Sequence, residues 1–242
     1  MKAPTLLQSI TLRGHTFLPA RLGPASTVID LGANRGEFSQ LVSQRFRARC
    51  IAVEANPELS KDIKSLPNLE SRNLAITEVD GKQDLNISTN PECSSVFTQI
   101  QQPAGKTVCV PARTLETLLH EHNVAEVDLI KVDIEGAEVQ MFASTPDSVI
   151  RRIGQITVEF HDFCGLVTQE QITSIRNRLR RLDFFEICFY PGNMNWLFVN
   201  RRLARVNVLK FYYVKYLVRL VRLALHRFRK ATGIRLIGLS QE

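Results

Sequence analysis

Short apolar runs alternate with longer amphipathic segments from residue 27 to about residue 182. The runs predict strands, because a strand buried on both faces is continuously apolar, and the amphipathic segments predict helices. The predicted strands are 27–31, 50–55, 69–76, 127–133 and 155–160, and the predicted helices are 37–46, 57–66, 114–122, 136–144 and 168–182. This alternation favours an α/β fold, with a mostly parallel sheet covered by helices on both faces.

Two further apolar segments, 184–190 and 195–200, face each other across the sequence Pro-Gly-Asn-Met. A turn of this composition between two strands predicts a β-hairpin, which adds an antiparallel strand to the sheet. The interval 77–110 is less regular, and it predicts a strand-bearing excursion over one edge of the sheet.

The first predicted strand leads into VIDLGANRGEFS, residues 28–39, which has the form of a strand, a turn and the start of a helix. Gly32 permits a tight turn, and Gly36 permits close packing at the helix start, where free amide groups can bind a carboxylate or a phosphate. A dinucleotide fingerprint has a further glycine between these two, but this chain has Asn34 there. The turn therefore favours S-adenosylmethionine (SAM), whose ammonium group suits Asp30, over a nicotinamide dinucleotide.

Glu54 ends the second predicted strand, where a carboxylate can accept hydrogen bonds from both hydroxyls of a ribose. This position serves the adenosine of either cofactor and does not decide between them. Asn73 and Ala75, at the end of the third predicted strand, can border an adenine ring. An NAD-dependent oxidoreductase therefore remains an alternative.

Six motifs occur in the order DLGANRGEFS, AVEANP, NLAI, ARTLETLL, DLIKVDIEGAE and VEFH, and together they resemble the FkbM-type family of SAM-dependent methyltransferases. The likeness covers roughly residues 26–200, and its most specific part is IKVDIEGAE at 130–138. It implies a Rossmann-like methyltransferase fold with strand order 3-2-1-4-5-7-6, and O-methylation of a sugar, a polyketide or a related small molecule. The cofactor-binding residues that follow from it are Asp30, Gly32, Asn34 and Gly36 at the methionine end, Glu54 at the ribose, and Asn73 and Ala75 near the adenine, with Ala33 and Asp133 completing the predicted set.

Four polar side chains follow the last two parallel strands: Asp133 and Glu135 after one, Glu159 and His161 after the other. The carboxyl ends of parallel strands open on one rim of a sheet, so these side chains are expected to meet. His161 is the first candidate for the general base, because an ordinary histidine pKa near 6.5 suits proton abstraction at neutral pH. Asp133 is the second candidate, Glu159 completes the predicted catalytic set, and Glu135 and His161 are predicted to contact the acceptor.

A divalent ion is the alternative means of activating the acceptor hydroxyl. Asp133, Glu159, His161 and Asp162 are the predicted ligands, and oxygen-rich ligands suit Mg²⁺. These residues come from two separate strand ends, and no compact metal-binding motif links them.

The distribution of charge sets the C-terminal end of the chain apart from the predicted domain. The 242 residues carry a net charge of +7, but eleven Lys/Arg and one acid lie in 201–242, which leaves 20 bases and 23 acids in the first 200 residues. A domain that binds nucleic acid more often spreads its positive charge over the folded part, so no nucleic-acid partner is predicted. The predicted organisation is an N-terminal segment, 1–25, that packs on the core, a methyltransferase domain, 26–200, and a basic tail, 201–242.

Residues 206–230 of the tail predict a basic amphipathic helix, with Lys and Arg on one side and aliphatic residues on the other. Such a helix suits an anionic membrane surface, and packing on the domain or a homodimer contact is the alternative. The five cysteines form no C-x-x-C pair, and neither a signal peptide nor an apolar span is apparent. We therefore expect a cytoplasmic protein, peripheral on the cytoplasmic face of the membrane.

These observations together predict a SAM-dependent O-methyltransferase that acts on a hydroxyl of a sugar, glycan or glycolipid. A non-catalytic, membrane-associated partner of a glycan-assembly enzyme, which keeps the SAM fold, is the alternative from another class.

Overall fold

The structure is a computed structural model, and it describes residues 9–87, 106–161, 167–188 and 195–203, together with Tyr212, Tyr216 and Leu220. The strands are β1 (Ile10–Leu12), β2 (His15–Phe17), β3 (Thr27–Leu31), β4 (Arg49–Glu54), β5 (Leu69–Asn73), β6 (Ala75–Ile76), β7 (Gly81–Ile87), β8 (Lys106–Arg113), β9 (Leu129–Val132), β10 (Gln155–Glu159), β11 (Phe184–Cys188) and β12 (Asn195–Asn200). The helices are α1 (Glu37–Phe46), α2 (Pro57–Ser60), α3 (Leu115–Glu121), α4 (Glu138–Ser144), α5 (Asp147–Ile150) and α6 (Gln169–Arg181).

Seven strands form one sheet in the order β11-β12-β10-β9-β3-β4-β5. The strands from β10 to β5 pair in parallel, and β12 pairs antiparallel with both β10 and β11. Numbered along this sheet alone, the order is 3-2-1-4-5-7-6, which confirms the predicted α/β methyltransferase fold. The order reverses beside β3, because β4 and β9 lie on its two sides. In an open α/β sheet this is the position where a ligand binds.

The core lies on both faces of this sheet, as the continuous apolar strands predicted. Ile29, Ile130 and Ile156 point into one buried cluster, while Val28 and Leu129 point into the other. Successive side chains of a strand alternate between faces, so both faces must be covered by other elements. The amphipathic helix α6 covers one of them: its apolar residues Ile172, Ile175 and Leu179 are buried, as is Leu182 directly after it.

A two-stranded hairpin precedes the sheet and packs against it. β1 and β2 pair antiparallel, and Phe17 of β2 is fully buried in the core cluster that also contains Phe38. The Leu18 backbone N–H donates a hydrogen bond to Gln155 Oε1, and Gln155 Nε2 donates to the Leu18 carbonyl, at 2.8 and 3.0 Å. These contacts fix the hairpin beneath β10 and bring His15 to the rim of the sheet.

The predicted third strand, 69–76, is divided in the structure. β5 ends at Asn73, and β6 leaves the main sheet to pair with β8 in a separate sheet of order β6-β8-β7. The side chain of Asn73 donates hydrogen bonds to the carbonyls of Glu54 and Ala55, both at 2.9 Å. This small sheet is the excursion predicted over 77–110, of which residues 88–105 lie outside the described residues.

The predicted helix 57–66 was wrong in length, since α2 occupies only Pro57–Ser60. The Asn56 side chain caps its start by accepting a hydrogen bond from the Glu58 amide at 2.9 Å. The amides of Asp62 and Ile63 then bond to carbonyls three residues earlier, so the chain tightens into a turn. This turn places the Ile63 side chain against the glycine turn of the first strand.

Beyond residue 203, the C-terminal tail is described only at Tyr212, Tyr216 and Leu220, which are exposed by 47, 54 and 62%. The two tyrosine rings stack with their centroids 5.9 Å apart. The rest of the helix predicted over 206–230 lies outside the described residues. Within the described part of the chain, no helix is long and apolar enough to cross a membrane.

Candidate active site

An open cleft of about 650 Å³ lies where β3, β4 and β9 end. Its polar wall includes Asn34, Glu54, Asp133 and Glu135, and its apolar wall includes Leu74, Ala75, Ile76 and Leu85. Small-molecule sites typically combine an apolar lining with a few polar groups. The cleft therefore has the lining and the position, at the switch point of the sheet, that a cofactor site requires.

The glycine turn after β3 forms one edge of the cleft. Gly32 has φ +74°, and a Cβ there would lie 1.7 Å from the carbonyl oxygen of Asp133. Gly36 has φ +75°, and a Cβ there would lie 2.8 Å from Ile63 Cγ2. Both positions thus require glycine, for backbone conformation and for packing within the protein. The amides of Gly32 and Ala33 donate hydrogen bonds to the Val53 carbonyl, which joins the turn to β4.

Asp30 lies beneath this turn and does not line the cleft. Its side chain is fully buried, accepts a hydrogen bond from Ser39 Oγ at 2.6 Å and forms an ion pair with Lys131 Nζ at 3.1 Å. Lys131 Nζ also donates to the Gly32 carbonyl at 2.7 Å and lies 3.4 Å from Asp133 Oδ2. Burial alone would lower the pKa of Lys131, but the charges of Asp30 and Asp133 raise it. A protonated lysine therefore joins the glycine turn to the end of β9.

Glu54 lies in the cleft wall, as its position at the end of the second strand predicted. Its two carboxylate oxygens accept hydrogen bonds from the amides of Asn34 and Asn56, at 2.7 and 2.8 Å. Burial raises the pKa of Glu54, and the two amide hydrogen bonds oppose this increase. A carboxylate has about four acceptor sites, so each oxygen can also accept a hydrogen bond from a ligand.

The other predicted cofactor residues lie at different depths. Ala75 lines the cleft, whereas Asn73 is exposed outside it and uses its amide to join the ends of β4 and β5. Ala33 and Gly36 lie behind the turn, where Ala33 is buried in the core. The structure thus brings Gly32, Asn34, Glu54, Ala75 and Asp133 to one cleft and places the remaining predicted residues in supporting positions.

The rim beyond β9 and β10 brings together the four polar side chains that the sequence predicted there. His161 Nε2 lies 3.4 Å from Glu135 Oε2 and 3.7 Å from Asp133 Oδ1. Glu159 is the fourth member, and burial followed by the charge of Asp133 raises its pKa. We call Asp133, Glu135, Glu159 and His161 the rim cluster.

Two members of this site were missed by the sequence analysis. Glu138, at the start of α4, is fully buried, and its Oε1 lies 2.9 Å from His161 Nδ1 and accepts from the amides of Ile134 and Gly136. His15 of the N-terminal hairpin is buried with Nε2 3.4 Å from Asp133 Oδ2. No local signal marks His15, because packing between distant segments brings it to the site. Glu138 ends the motif IKVDIEGAE, which is the signal that could have identified it.

The protonation of His161 differs from the sequence-based expectation. Burial alone would lower the pKa of His161, but its hydrogen bond with Glu138 and the surrounding carboxylates raise it to about 9. Burial would also raise the pKa of Asp133, but Lys131, His15 and His161 hold it well below its ordinary value. At neutral pH the cluster therefore contains a charged imidazolium and a charged Asp133, and His161 is not the neutral imidazole that its ordinary pKa predicted.

Two groups of side chains have donor atoms close enough to surround a metal ion. They are His15, Asp133 and Glu159, and Asp133, Glu135 and His161, each within 4.8 Å. Mg²⁺ prefers oxygen ligands, but each group includes a nitrogen donor, and the Lys131 ammonium group already lies 3.4 Å from Asp133. The described donors therefore fit Mg²⁺ poorly, and Asp162 lies outside the described residues.

Comparisons with known proteins agree with this arrangement. The sequence model of a family described as Methyltransferase FkbM domain matches residues 30–185. A curated relative, the AMB antimetabolite synthetase AmbE of Pseudomonas aeruginosa, is 20% identical over 204 residues, which cover 67% of this chain and 10% of that protein. The chain thus spans about a tenth of the length of that relative.

Similar solved structures include a precorrin-6y C5,15-methyltransferase from Geobacter metallireducens GS-15, with 14% identity, a TM-score of 0.40, and coverage of 74% of this chain and 80% of that one. The N-terminal domain of human METTL16 in complex with SAH has 10% identity, a TM-score of 0.40, and coverage of 72% of this chain and 60% of that one. The fold itself is identified by the strand order of the sheet.

Proposed function

The chain belongs to the FkbM methyltransferase family and has the fold of a SAM-dependent methyltransferase, and we propose that it methylates a hydroxyl group of a sugar, glycan or glycolipid. The observation that carries this proposal is the position of the rim cluster beside the cleft. Asp133 and Glu135 belong both to the cluster and to the cleft wall.

The residues of the cleft fit SAM. Glu54 would accept hydrogen bonds from the ribose hydroxyls, and the apolar wall formed by Leu74, Ala75, Ile76 and Leu85 would border the adenine. The turn at Gly32 and Asn34 would hold the methionine end. When bound, SAM supplies an electrophilic methyl group on a positively charged sulfur.

An oxygen acceptor is supported by the carboxylates of the rim cluster. A hydroxyl must lose its proton when it is methylated, so a proton acceptor has to lie close to the reacting oxygen. The side chains of Asp133 and Glu135 are 27 and 30% exposed, so a ligand in the cleft can reach them. Carboxylates also accept hydrogen bonds from neighbouring hydroxyls, which supports a sugar as the acceptor.

The basic tail supports an acceptor at a membrane surface. Tyr212, Tyr216 and Leu220 are exposed at a spacing of four residues, and basic residues surround them in the sequence. Tyrosine suits the boundary between lipid and water, and each Lys or Arg near an anionic surface contributes about 1 kcal/mol. The proposal is therefore a peripheral protein on the cytoplasmic face of a membrane, with a glycolipid or a lipid-linked glycan as its acceptor.

Binding and transfer can be tested separately. Isothermal titration is expected to show binding of S-adenosylhomocysteine and SAM but not of NAD. SAM with a labelled methyl group is then offered with sugars, glycans and glycolipid extracts. We expect label in an ether that survives mild alkali, whereas an alkali-labile ester, or an N-methylated product, would contradict the proposal. Failure to bind S-adenosylhomocysteine would favour the non-catalytic partner.

The membrane part has its own experiment. The full-length protein is sedimented with vesicles of phosphatidylcholine alone or with added phosphatidylserine. We expect pelleting that requires the anionic lipid and that is lost in the variant Arg219→Glu/Arg222→Glu. A matched change in the folded domain, Arg45→Glu/Arg47→Glu, serves as the control. Equal pelleting of both variants would contradict a specific role of the tail.

A further inference from the structure

We propose that Glu135 is the general base that takes the proton of the acceptor hydroxyl, and that His161 is a positioning residue that holds the Glu135 carboxylate in place. This inference rests on the proposed O-methylation and assigns the proton transfer to one residue. From sequence alone, Glu135 is predicted only to contact the acceptor, and His161, Asp133 and Glu159 are the predicted catalytic residues.

The backbone gives Glu135 a special position between β9 and α4. Glu135 has φ +52° and Gly136 has φ +101°, so two consecutive residues have positive φ angles in the turn that precedes α4. A left-handed conformation is uncommon for residues other than glycine, and such strained residues concentrate at functional sites. The structure places the Glu135 side chain in the cleft wall, where it is 30% exposed.

His161 has the opposite surroundings. Its side chain is only 4% exposed and does not line the cleft. Nδ1 lies 2.9 Å from Glu138 Oε1, and Nε2 lies 3.4 Å from Glu135 Oε2. Both ring nitrogens therefore face carboxylates, and the buried imidazole lies behind Glu135 and Asp133, the two carboxylates that line the cleft.

The other carboxylates are less suited to take the proton. Three acids of the described residues line the cleft, namely Glu54, Asp133 and Glu135. Glu54 lies at the end of β4 and accepts two backbone amides. Asp133 is paired with Lys131 and also faces His15, which makes it a weak base. Glu159 belongs to the rim cluster but not to the cleft wall.

The proton and electron balance of the step is closed without another reagent. The acceptor oxygen forms a bond with the methyl carbon, the sulfur–carbon bond breaks, and its electron pair remains on sulfur as a neutral thioether. The proton of the hydroxyl moves to the Glu135 carboxylate, which becomes a carboxylic acid and later releases the proton to water. The negative charge of Glu135 and the positive charge of the sulfonium are thus both neutralised.

The ionisation of the cluster supports this assignment. Burial raises the pKa of Glu135 to about 7, and the charges of Asp133, Glu138 and Glu159 add to the increase while His161 opposes it. A base with a pKa near the working pH is efficient. The base form of Glu135 is gained as pH rises through about 7, and the imidazolium of His161 is lost as pH rises through about 9, so the rate should pass through a maximum between them.

The first test needs neither cofactor nor acceptor. The imidazole nitrogens of His161 are followed by NMR in the ¹⁵N-labelled full-length protein as pH changes. We expect His161 to remain an imidazolium well above its ordinary pKa of 6.5 and to titrate near 9. Glu135→Gln should lower this value, because it removes one negative charge beside Nε2. A neutral His161 at pH 7 would overturn the positioning role.

The second test measures methyl transfer with the acceptor found above. Glu135→Gln should lose on the order of 100-fold or more in kcat, a typical loss for a general base, while S-adenosylhomocysteine binds with unchanged affinity. His161→Gln should move the acid limb of the pH–rate profile to higher pH, since the cation that lowers the pKa of Glu135 is gone. Glu116→Gln, an exposed change on α3, is the control and should behave as wild type.

Three outcomes would overturn the proposal. One is near-normal kcat in Glu135→Gln, and another is an unmoved acid limb in a folded His161→Gln variant. The third is activity that EDTA abolishes and Mn²⁺ or Mg²⁺ restores, which would assign the rim cluster to a metal ion. Loss of S-adenosylhomocysteine binding by the wild-type protein would instead contradict the proposed function, so the two failures are distinguishable.

Discussion

Two groups of charged residues lie on opposite sides of the Asp133 carboxylate, and they are balanced differently. Beneath the glycine turn, Lys131 stands between Asp30 and Asp133, so a fully buried acid has a cation as its direct partner. At the rim, the carboxylates of Glu135, Glu138 and Asp133 surround the imidazole of His161. The first group holds the backbone in place. In the second group the carboxylates raise the pKa of His161, while burial, followed by the neighbouring carboxylates, raises the pKa of Glu135.

The comparison shows how one end of the sheet can hold both a rigid ion pair, at Lys131, and side chains that can change protonation, at the rim. In a buried ion pair with good geometry, each partner stabilises the charged form of the other. A partly buried carboxylate that lies beside other carboxylates has a raised pKa, as Glu135 does. The two groups can be separated by substitutions that affect the turn alone, the ion pair alone or the rim alone.

The largest expected effect comes from Gly32→Ala, which attacks the turn itself. A Cβ there would meet the Asp133 carbonyl at 1.7 Å, and φ +74° is unfavourable for alanine. Because the added methyl group belongs to a tight turn and would collide with backbone atoms of Asp133, neither side can move easily. We therefore expect the free energy of unfolding to fall by more than about 4 kcal/mol, measured by urea denaturation. Gly23→Ala is the matched control, because nothing lies within 4 Å of its added methyl group. A stable Gly32→Ala protein that binds S-adenosylhomocysteine would show that the turn can move away from β9.

The next effect is expected for Lys131→Met, which removes the cation beneath the turn. Asp30 would then be a buried carboxylate without its ionic partner, a change that typically costs about 3 kcal/mol or more. Affinity for S-adenosylhomocysteine should fall as well, because the Gly32 carbonyl loses its hydrogen bond. Chemical denaturation and calorimetric titration measure the two losses, and Lys82→Met on the exposed strand β7 is the control. Equal stability of the two variants would mean that the ion pair does not support the turn.

The smallest effect is expected for Glu138→Gln, and it should depend on pH. The folded-state pKa of His161 is raised from 6.5 to about 9, so its stabilising contribution is complete below 6.5 and is lost as pH rises through 9. Glu138→Gln removes the main cause of this increase and should cost about 2 kcal/mol at pH 6, with the difference from wild type shrinking towards pH 9. Thermal unfolding across this range provides the measurement. A difference that stays constant with pH would indicate that Glu138 acts through its amide hydrogen bonds alone.

Much of the fold follows from local patterns. The alternation of apolar and amphipathic segments predicted the parallel strands, and the Pro-Gly-Asn-Met turn predicted the antiparallel pair β11 and β12. The ends of these strands predicted that Asp133 and Glu135 would lie near His161. Periodicity did not predict that the segment 69–76 would divide after Asn73, because both halves have strand character and their partners are set by long-range pairing.

Chain order and side-chain chemistry by themselves determined the seven strands, the glycine turn and the position of Glu54, because each depends on a short stretch of sequence. The order of the strands in the sheet was implied by the family resemblance. Only the tertiary structure decided that Asp30 pairs with Lys131, that His15 reaches the rim from the N-terminal hairpin, and that Glu138 contacts His161. It also decided the protonation of His161 and Glu135, since a pKa depends on burial and on charges that come from distant parts of the chain.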